Sequence, residues 1–231
     1  MSKDQIEDIY PLSPMQEGMI FHTLYAPESR LYFQQESYSL HGALDVAALK
    51  QAWQQIIDRH SILRTSFVWE RRDKPLQIVY RRIELPWQEK DWRGVTPVEQ
   101  QEQLKSFLEA GQESAFDLSK TPLIRLTLIQ MGEQDYELIW EFHHAILDKL
   151  SATRLFKEVF ACYRAYQKGE RAQLEQPRPF RDYITWLQRQ DRSGAEAFWR
   201  KTLNGITAPT PFRVDHPVEG KEETYDKQTF R

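Results

Sequence analysis

Two adjacent histidines at the end of a predicted strand constrain the fold of this chain more than any other feature. His143 and His144 close an apolar run, and Asp148 follows four residues after the second histidine. Because side chains on a strand alternate between its faces, the two imidazoles are expected to point to opposite sides, which disfavours a shared metal and predicts no metal site. Asp148 is placed to cap a following helix at Ser151 or to pair with an arginine. Either role would hold a loop that presents one imidazole to a cavity.

The chain around this loop alternates between strand-like and helix-like segments, which predicts one mixed architecture. Period-two and β-branched patterns predict strands at 33–40, 62–69, 76–80, 123–131 and 136–142. Helical spacing and capping signals predict helices at about 46–60, 97–111, 151–167, 180–190 and 195–203. A charged turn makes the second and third strands a hairpin, and the last two strands are predicted to be antiparallel neighbours.

The first predicted helix shows the clearest amphipathic pattern. Asp45 is its expected N-cap. Its apolar face consists of Leu49, Ala52, Trp53, Ile56 and Ile57.

The composition excludes several classes of protein. With 40% hydrophobic and 28% charged residues, the chain has enough apolar surface for a core, so disorder is not expected. A net charge of -3 argues against nucleic acid as a partner. The polar amino terminus and the absence of a run of ~18 apolar residues predict a cytoplasmic protein with no membrane partner. Cys162 is the single cysteine, and its apolar neighbours at helical spacing predict a buried structural thiol.

Four further motifs accompany the histidine pair. They are Tyr10–Met19, Arg59–Phe67, Arg181–Trp186 and Ala195–Trp199. Taken alone, the histidine pair is most simply two histidines hydrogen-bonded within a sheet. Together, the five stretches resemble, in order along nearly the whole chain, the motifs of condensation domains from nonribosomal peptide synthetases.

The resemblance implies an α/β fold akin to chloramphenicol acetyltransferase, in which two lobes form a V around a substrate tunnel. Each lobe would be an α+β two-layer sandwich whose mixed, largely antiparallel sheet is flanked by helices. Residues 1–205 would be the amino-terminal lobe. Residues 206–231 are polar and poorly patterned, and they would be a linker or the start of a second lobe whose motifs have no counterpart before Arg231.

The activity implied by the resemblance is peptide-bond formation by an acyltransferase. The amine of a carrier-bound aminoacyl thioester would attack a carrier-bound acyl or peptidyl thioester. The implied partners are peptidyl carrier domains, which bring their own phosphopantetheine, and the missing second lobe. The domain itself is expected to bind no cofactor.

The resemblance also distributes roles within the site. His144 would be the central catalytic residue, as a base or as a group that orients the amine and stabilises the tetrahedral intermediate. His143 and Asp148 belong to the same motif with more structural tasks. Arg64 is the expected partner of Asp148, and Arg59 is the alternative, although both arginines also fit solvated charges near a helix end.

Lys149 departs from the family's pattern, which usually has glycine after the aspartate. A lysine would cost ~1 kcal/mol or more if φ is positive there, whereas a lysine turned to solvent would be harmless. Together with Ser13, Gln16 and Ser151, it is expected beside the substrate tunnel. This departure and the missing lobe leave a second hypothesis, a non-catalytic fragment or remnant that folds and binds carrier domains. An epimerisation-type relative is a third.

Overall fold

The computed structural model describes residues 3–114 and 116–208, which fall into two compact units divided after Arg189. Most of the predicted linker, 209–231, lies outside the described residues. Across the described ranges, no helix combines the length and the apolar character that crossing a membrane requires.

The described residues form seven strands and six helices. The strands are β1 (Ile6–Pro11), β2 (Phe33–His41), β3 (Thr65–Val68), β4 (Leu76–Tyr80), β5 (Trp87–Asp91), β6 (Ile124–Gln130) and β7 (Asp135–His143). The helices are α1 (Pro14–Tyr25), α2 (Val46–Arg59), α3 (Pro97–Glu113), α4 (Lys149–Gln167), α5 (Phe180–Gln188) and, in the second unit, α6 (Arg192–Thr202).

The strands are divided between two sheets. One has four strands in the order β2-β7-β6-β5, and the other has three in the order β1-β4-β3. Every neighbouring pair is antiparallel except β5 and β6, which run parallel. The predicted α/β class with a mixed, largely antiparallel sheet is therefore confirmed.

Helices cover both faces of the four-stranded sheet. On one face, Trp53 of α2 meets Trp140 of β7 edge to face at a centroid distance of 5.0 Å, and Phe156 of α4 stacks on Tyr38 of β2. On the other face, Leu108 of α3 packs with residues of β6 and β7. The sheet thus lies between two helical layers, which agrees with the predicted sheet flanked by helices.

The amphipathic pattern of α2 is confirmed. All five residues of its predicted apolar face are completely buried, and the side chain of Asp45 accepts a hydrogen bond from the Ala48 N–H at 2.9 Å. Cys162 of α4 is buried in the same core, as its spacing predicted. The core therefore fixes both α2 and α4, and α4 is the helix into which the histidine loop leads.

Four segments differ from the predicted elements, and one is α1, whose range the helix predictions did not include. The strand predicted at 62–69 is shorter, because Ser61–Arg64 forms a 3-10 turn and only Thr65–Val68 is extended. The strands β1 and β5 were not predicted. Both lie at sheet edges, and their apolar residues, such as Tyr10 in β1 and Trp87 in β5, do not follow the regular alternation that marks a strand.

Truncation of the α2 face should destabilise the protein strongly. We expect Leu49→Ala to lower the free energy of unfolding by about 2–5 kcal/mol, because the completely buried leucine would leave a cavity. Urea unfolding followed by circular dichroism measures this loss. The matched control is Leu150→Ala, where the leucine is 81% exposed and a change below about 0.5 kcal/mol is expected. Equal losses in the two variants would contradict the described core.

Candidate active site

The loop after β7 leaves the sheet at His143 and enters α4 at Lys149. Asp148 is the N-cap of α4, and its Oδ1 accepts a hydrogen bond from the Ser151 N–H at 2.7 Å. The hydrogen bonds from the backbone and side chain of Ser151 hold the pKa of the Asp148 carboxyl below its usual value. Of the two roles predicted for Asp148, the capping role is the one observed.

The ring of His144 is oriented by the loop that follows it. Its Nδ1 lies 2.7 Å from the carbonyl oxygen of Leu147, and a carbonyl only accepts hydrogen bonds, so Nδ1 carries the proton. The backbone N–H of His144 donates to the carbonyl of Tyr32 at 2.7 Å. In the neutral ring, Nε2 is therefore the nitrogen with a lone pair that can accept a proton.

His143 has the opposite tautomer and a closed environment. Its Nδ1 accepts a hydrogen bond from the Ala145 N–H at 3.1 Å, and its Nε2 lies 3.3 Å from the hydroxyl of Thr23. That hydroxyl donates its own proton to Met19, so Nε2 of His143 is the donor. Burial, assisted by the neighbouring His144, lowers the pKa of His143 to about 4. The ring is a neutral structural group at neutral pH.

A groove of about 860 Å³ lies in front of His144. His144 lines this groove, whereas His143 lines a separate small cavity with Thr23 and Phe116. The prediction that the two imidazoles point to opposite sides is therefore confirmed. The other groove residues that carry polar side chains are Ser13, Gln16, His60, Asp148, Ser151, Arg154, Glu158, Glu175, Gln176, Arg178 and Tyr183.

The opening motif contributes to the groove through the start of α1. Ser13 and Gln16 form a capping box, in which the Ser13 hydroxyl accepts from the Gln16 N–H and the Gln16 side chain accepts from the Ser13 N–H. Both residues are buried and both line the groove, as does Ser151 of α4. These three predicted neighbours of the substrate path are brought together with His144.

The predicted ion pair between Asp148 and Arg64 is wrong. Arg64 is 5% exposed. Its guanidinium donates to the backbone carbonyls of Ile57 and Tyr80 and to the carboxylate of Glu7. These partners belong to α2, β4 and β1, so Arg64 joins three elements of the scaffold. Its donors pair with backbone carbonyls near the ends of α2 and β4.

The alternative pairing through Arg59 is also not observed. Arg59 Nε lies 3.1 Å from Glu158 Oε2, and His60 Nε2 lies 2.8 Å from the same oxygen. All three side chains are largely buried. Arg59 thus neutralises a carboxylate of α4 at the groove, and the sequence offered no signal for this partner because Glu158 lies far away along the chain.

Lys149 lies outside the groove that was predicted to include it. It is the first residue of α4, its φ is not positive, and its Nζ lies 2.6 Å from Glu36 Oε1 on β2. The expected backbone strain is therefore absent, and the side chain is 78% exposed. The lysine is turned outward, which is the arrangement predicted to be harmless. This observation removes one argument for the non-catalytic hypothesis.

Tyr32 is a residue of the site that the sequence analysis missed. It has a φ of 68°, in the left-handed region that disfavours side chains with a Cβ, and its carbonyl receives the His144 N–H. Its ring centroid lies 6.2 Å from that of His143. No sequence signal marks a tyrosine for a left-handed conformation, so this contact is visible only in three dimensions.

Comparisons with known proteins identify a single family. The family model described as "Condensation domain" matches residues 6–231. One of the linear gramicidin synthase proteins of Brevibacillus parabrevis is 44% identical over 91% of this chain, and bacitracin synthase 1 of Bacillus licheniformis is 39% identical over 87%. The chain spans only 3% and 4% of those relatives.

A solved structure supports the same fold. The starter condensation domain of the rhizomide synthetase RzmA superposes with a TM-score of 0.74 at 19% identity. The superposition covers 90% of this chain and 52% of the solved chain.

Acid should destabilise the protein through His143. Because its pKa is about 4 when folded and about 6.5 when unfolded, the unfolded state binds more protons between these values. The contribution of His143 to the free energy of unfolding is present above pH 6.5. It should be lost as the pH drops toward 4, by at most ~1.4 kcal/mol per pH unit. Unfolding free energies of the parent and His143→Gln, measured from pH 4 to 8, test this.

The variant's curve should lack this contribution, and measurements above pH 7 provide the internal control because His143 is neutral there in both states. Parallel curves for the two proteins over the whole range would contradict the buried neutral imidazole.

Replacement of Lys149 by the family's usual glycine should not improve the site. We expect Lys149→Gly to lower the free energy of unfolding by up to ~1 kcal/mol, through lower helix propensity and loss of an exposed ion pair. The rate of any reaction at His144 should stay unchanged, since the lysine does not reach the groove. Lys149→Met, which removes only the charge, is the control. A tenfold gain in rate for the glycine variant would show that the lysine obstructs substrate.

Proposed function

The chain belongs to the condensation-domain family, and on that premise we propose that it is the lobe of a peptide-bond-forming acyltransferase that carries the reactive histidine. The substrates would be an acyl or peptidyl thioester and an aminoacyl thioester, each attached to a carrier domain. The amine nitrogen of the aminoacyl group attacks the carbonyl of the other thioester, a C–N bond forms, the C–S bond breaks, and the carrier thiol leaves. One proton moves from the nitrogen to the departing sulfur.

The orientation of His144 is the observation that carries this proposal. The Leu147 carbonyl fixes the proton on Nδ1, so the neutral ring can accept a proton only at Nε2. A ring held in this tautomer presents Nε2 as the proton acceptor, and a general base must lie within hydrogen-bond reach of the proton that it takes.

A strong base is not required for this reaction. An α-amine has a pKa of about 7.7 to 8, so a sizeable minority is already neutral near pH 7. His144 would take the proton released as the C–N bond forms, or would orient the amine and stabilise the tetrahedral intermediate. Both roles place the reacting nitrogen within hydrogen-bond distance of Nε2.

The groove suits substrates that arrive on a flexible arm. Its volume of about 860 Å³ is near the upper end of the range of small-ligand sites, and it is open rather than enclosed. We propose that phosphopantetheine arms of peptidyl carrier domains enter here and that the domain binds no other cofactor. A second lobe would complete the tunnel, with residues 1–205 as the first lobe and 206–231 leading to the second.

We also propose that the reaction takes place in the cytoplasm. The single cysteine, Cys162, is a buried unpaired thiol, which suits a reducing compartment.

Single-turnover peptide-bond formation tests the function. The chain would be joined to the remaining half of the matching condensation domain from its linear gramicidin synthase relative, and mixed with acyl-loaded and aminoacyl-loaded carrier domains. We expect dipeptide product from the parent and a loss of at least ~10²-fold in His144→Ala, because the proton acceptor is removed.

The matched control is His41→Ala, where an exposed histidine outside the groove is removed and the rate should be unchanged. The proposal fails if the well-folded parent forms no product, or if His144→Ala reacts as fast as the parent.

A further inference from the structure

We propose that Gln16 is a positioning residue that holds in place the loop carrying His144. The inference rests on the proposed function and extends it to a residue of the opening motif. Gln16 does not need to contact the substrate for this role. It acts through the backbone of Ala145, the residue that follows His144.

The contact between Gln16 and the loop is buried and joins distant parts of the chain. The Gln16 side chain is 3% exposed, and its Nε2 donates to the carbonyl of Ala145 at 3.1 Å. The N–H of Ala145 donates in turn to His143 Nδ1 at 3.1 Å. Both backbone groups of Ala145 are therefore bonded to buried side chains, and the residue next to His144 is held on each side.

Gln77 completes the bonding of Gln16. The two amides pair reciprocally: Gln77 Nε2 donates to Gln16 Oε1 at 3.1 Å, and Gln16 Nε2 donates to Gln77 Oε1 at 3.4 Å. Gln77 is completely buried and also donates to the carbonyl of Pro11 at 2.9 Å. The amide of Gln16 thus uses both hydrogens and accepts twice at its oxygen, from Gln77 and from the Ser13 N–H at 2.9 Å.

This pattern also fixes which way the amide faces. The Ser13 N–H requires an acceptor, and the Ala145 carbonyl requires a donor, so exchanging the amide oxygen and nitrogen would lose both bonds. A fully bonded buried amide pair resists displacement, because each broken bond would leave an unpaired polar group in a buried region.

The capping box alone does not explain why residue 16 is a glutamine. Glutamate serves equally well at this position of a capping box, as Glu99 does for Thr96 in α3. A carboxylate at position 16 could still accept from the Ser13 N–H. It could not donate to Ala145 or to Gln77, so the donor half of the amide is specific to the loop.

The position of Ala145 matters because the same loop orients the imidazole. The loop runs from His144 to Leu147, whose carbonyl holds Nδ1 of His144. A shift of Ala145 would move the peptides between these two residues and would release the ring from its single tautomer. Displacements of about 1 Å in such a constellation can cost ~10²-fold in rate.

The decisive variant is Gln16→Glu, which keeps the capping box and removes the donor to Ala145. Its matched control is Glu99→Gln, the reverse exchange in the capping box of α3, whose residues do not line the groove. Two-bond ¹H–¹⁵N correlation spectra of the histidine-labelled chain report the tautomer of His144 directly and require no activity.

We expect the parent and Glu99→Gln to show the Nδ1–H form of His144, and Gln16→Glu to show a mixture of tautomers. Single-turnover rates should fall by ~10 to 10²-fold in Gln16→Glu and stay unchanged in Glu99→Gln, with saturation by the carrier substrates preserved.

A double variant guards against a general loss of stability. Gln16→Met with Gln77→Met removes both members of the amide pair, so neither amide is left unpaired, and only the backbone groups of Ser13, Ala145 and Pro11 lose a side-chain partner. Circular dichroism confirms the fold of this variant before its tautomer is read. The variant also lacks the donor to Ala145, so the His144 tautomers should again be mixed.

The inference is overturned if folded Gln16→Glu or the double variant keeps the parental tautomer and rate. If the tautomer changes while even the parent forms no peptide bond, the positioning role stands and the proposed reaction fails.

Discussion

The structure depends on one requirement, that the backbone groups stay paired where β7 leaves the sheet. Four consecutive N–H groups must find acceptors there in a largely buried region. His143 donates to Leu123 of the chain just before β6, His144 to Tyr32, Ala145 to the ring of His143, and Ile146 to the carbonyl of His143. The acceptors come from separate parts of the chain, so the sheet, the segment before β2 and the His143 side chain all have to be in place together.

This requirement explains why two adjacent imidazoles have different tasks. His143 uses its lone pair on a backbone N–H and is buried, so it stays neutral and serves the loop. His144 gives its Nδ1–H to the loop, so the lone pair of the neutral ring is on Nε2, and the residue lines the groove. The opposite tautomers follow from the two local hydrogen bonds. His143 therefore supports the loop, and His144 is the residue that the loop orients.

Regular patterns predicted the scaffold, but not the long-range polar contacts. The α2 face, the capping by Asp148 and the β6–β7 pairing follow from spacing and capping chemistry, which are local. The partners of Arg64 were mispredicted because a guanidinium can donate to any nearby carboxylate or carbonyl. Sequence spacing does not show that the acceptors on α2, β4 and β1 lie closer to it than Asp148 does. The edge strands β1 and β5 were missed because their apolar residues are not regularly alternating.

The pairing of β2 with β7 has a consequence for the order in which the chain folds. Phe33 lies opposite His143, so this ladder joins an early segment of the chain to a late one, whereas β6 and β7 are separated only by a short turn. Closing a long loop costs entropy before any contact repays it, so the local hairpin should form first and β2 should join it afterwards. During synthesis on the ribosome, the backbone groups of β2 that pair with β7 would stay unpaired until β7 has emerged. The histidine loop, which needs Tyr32 as well as β7, would be among the last parts of the chain to become ordered.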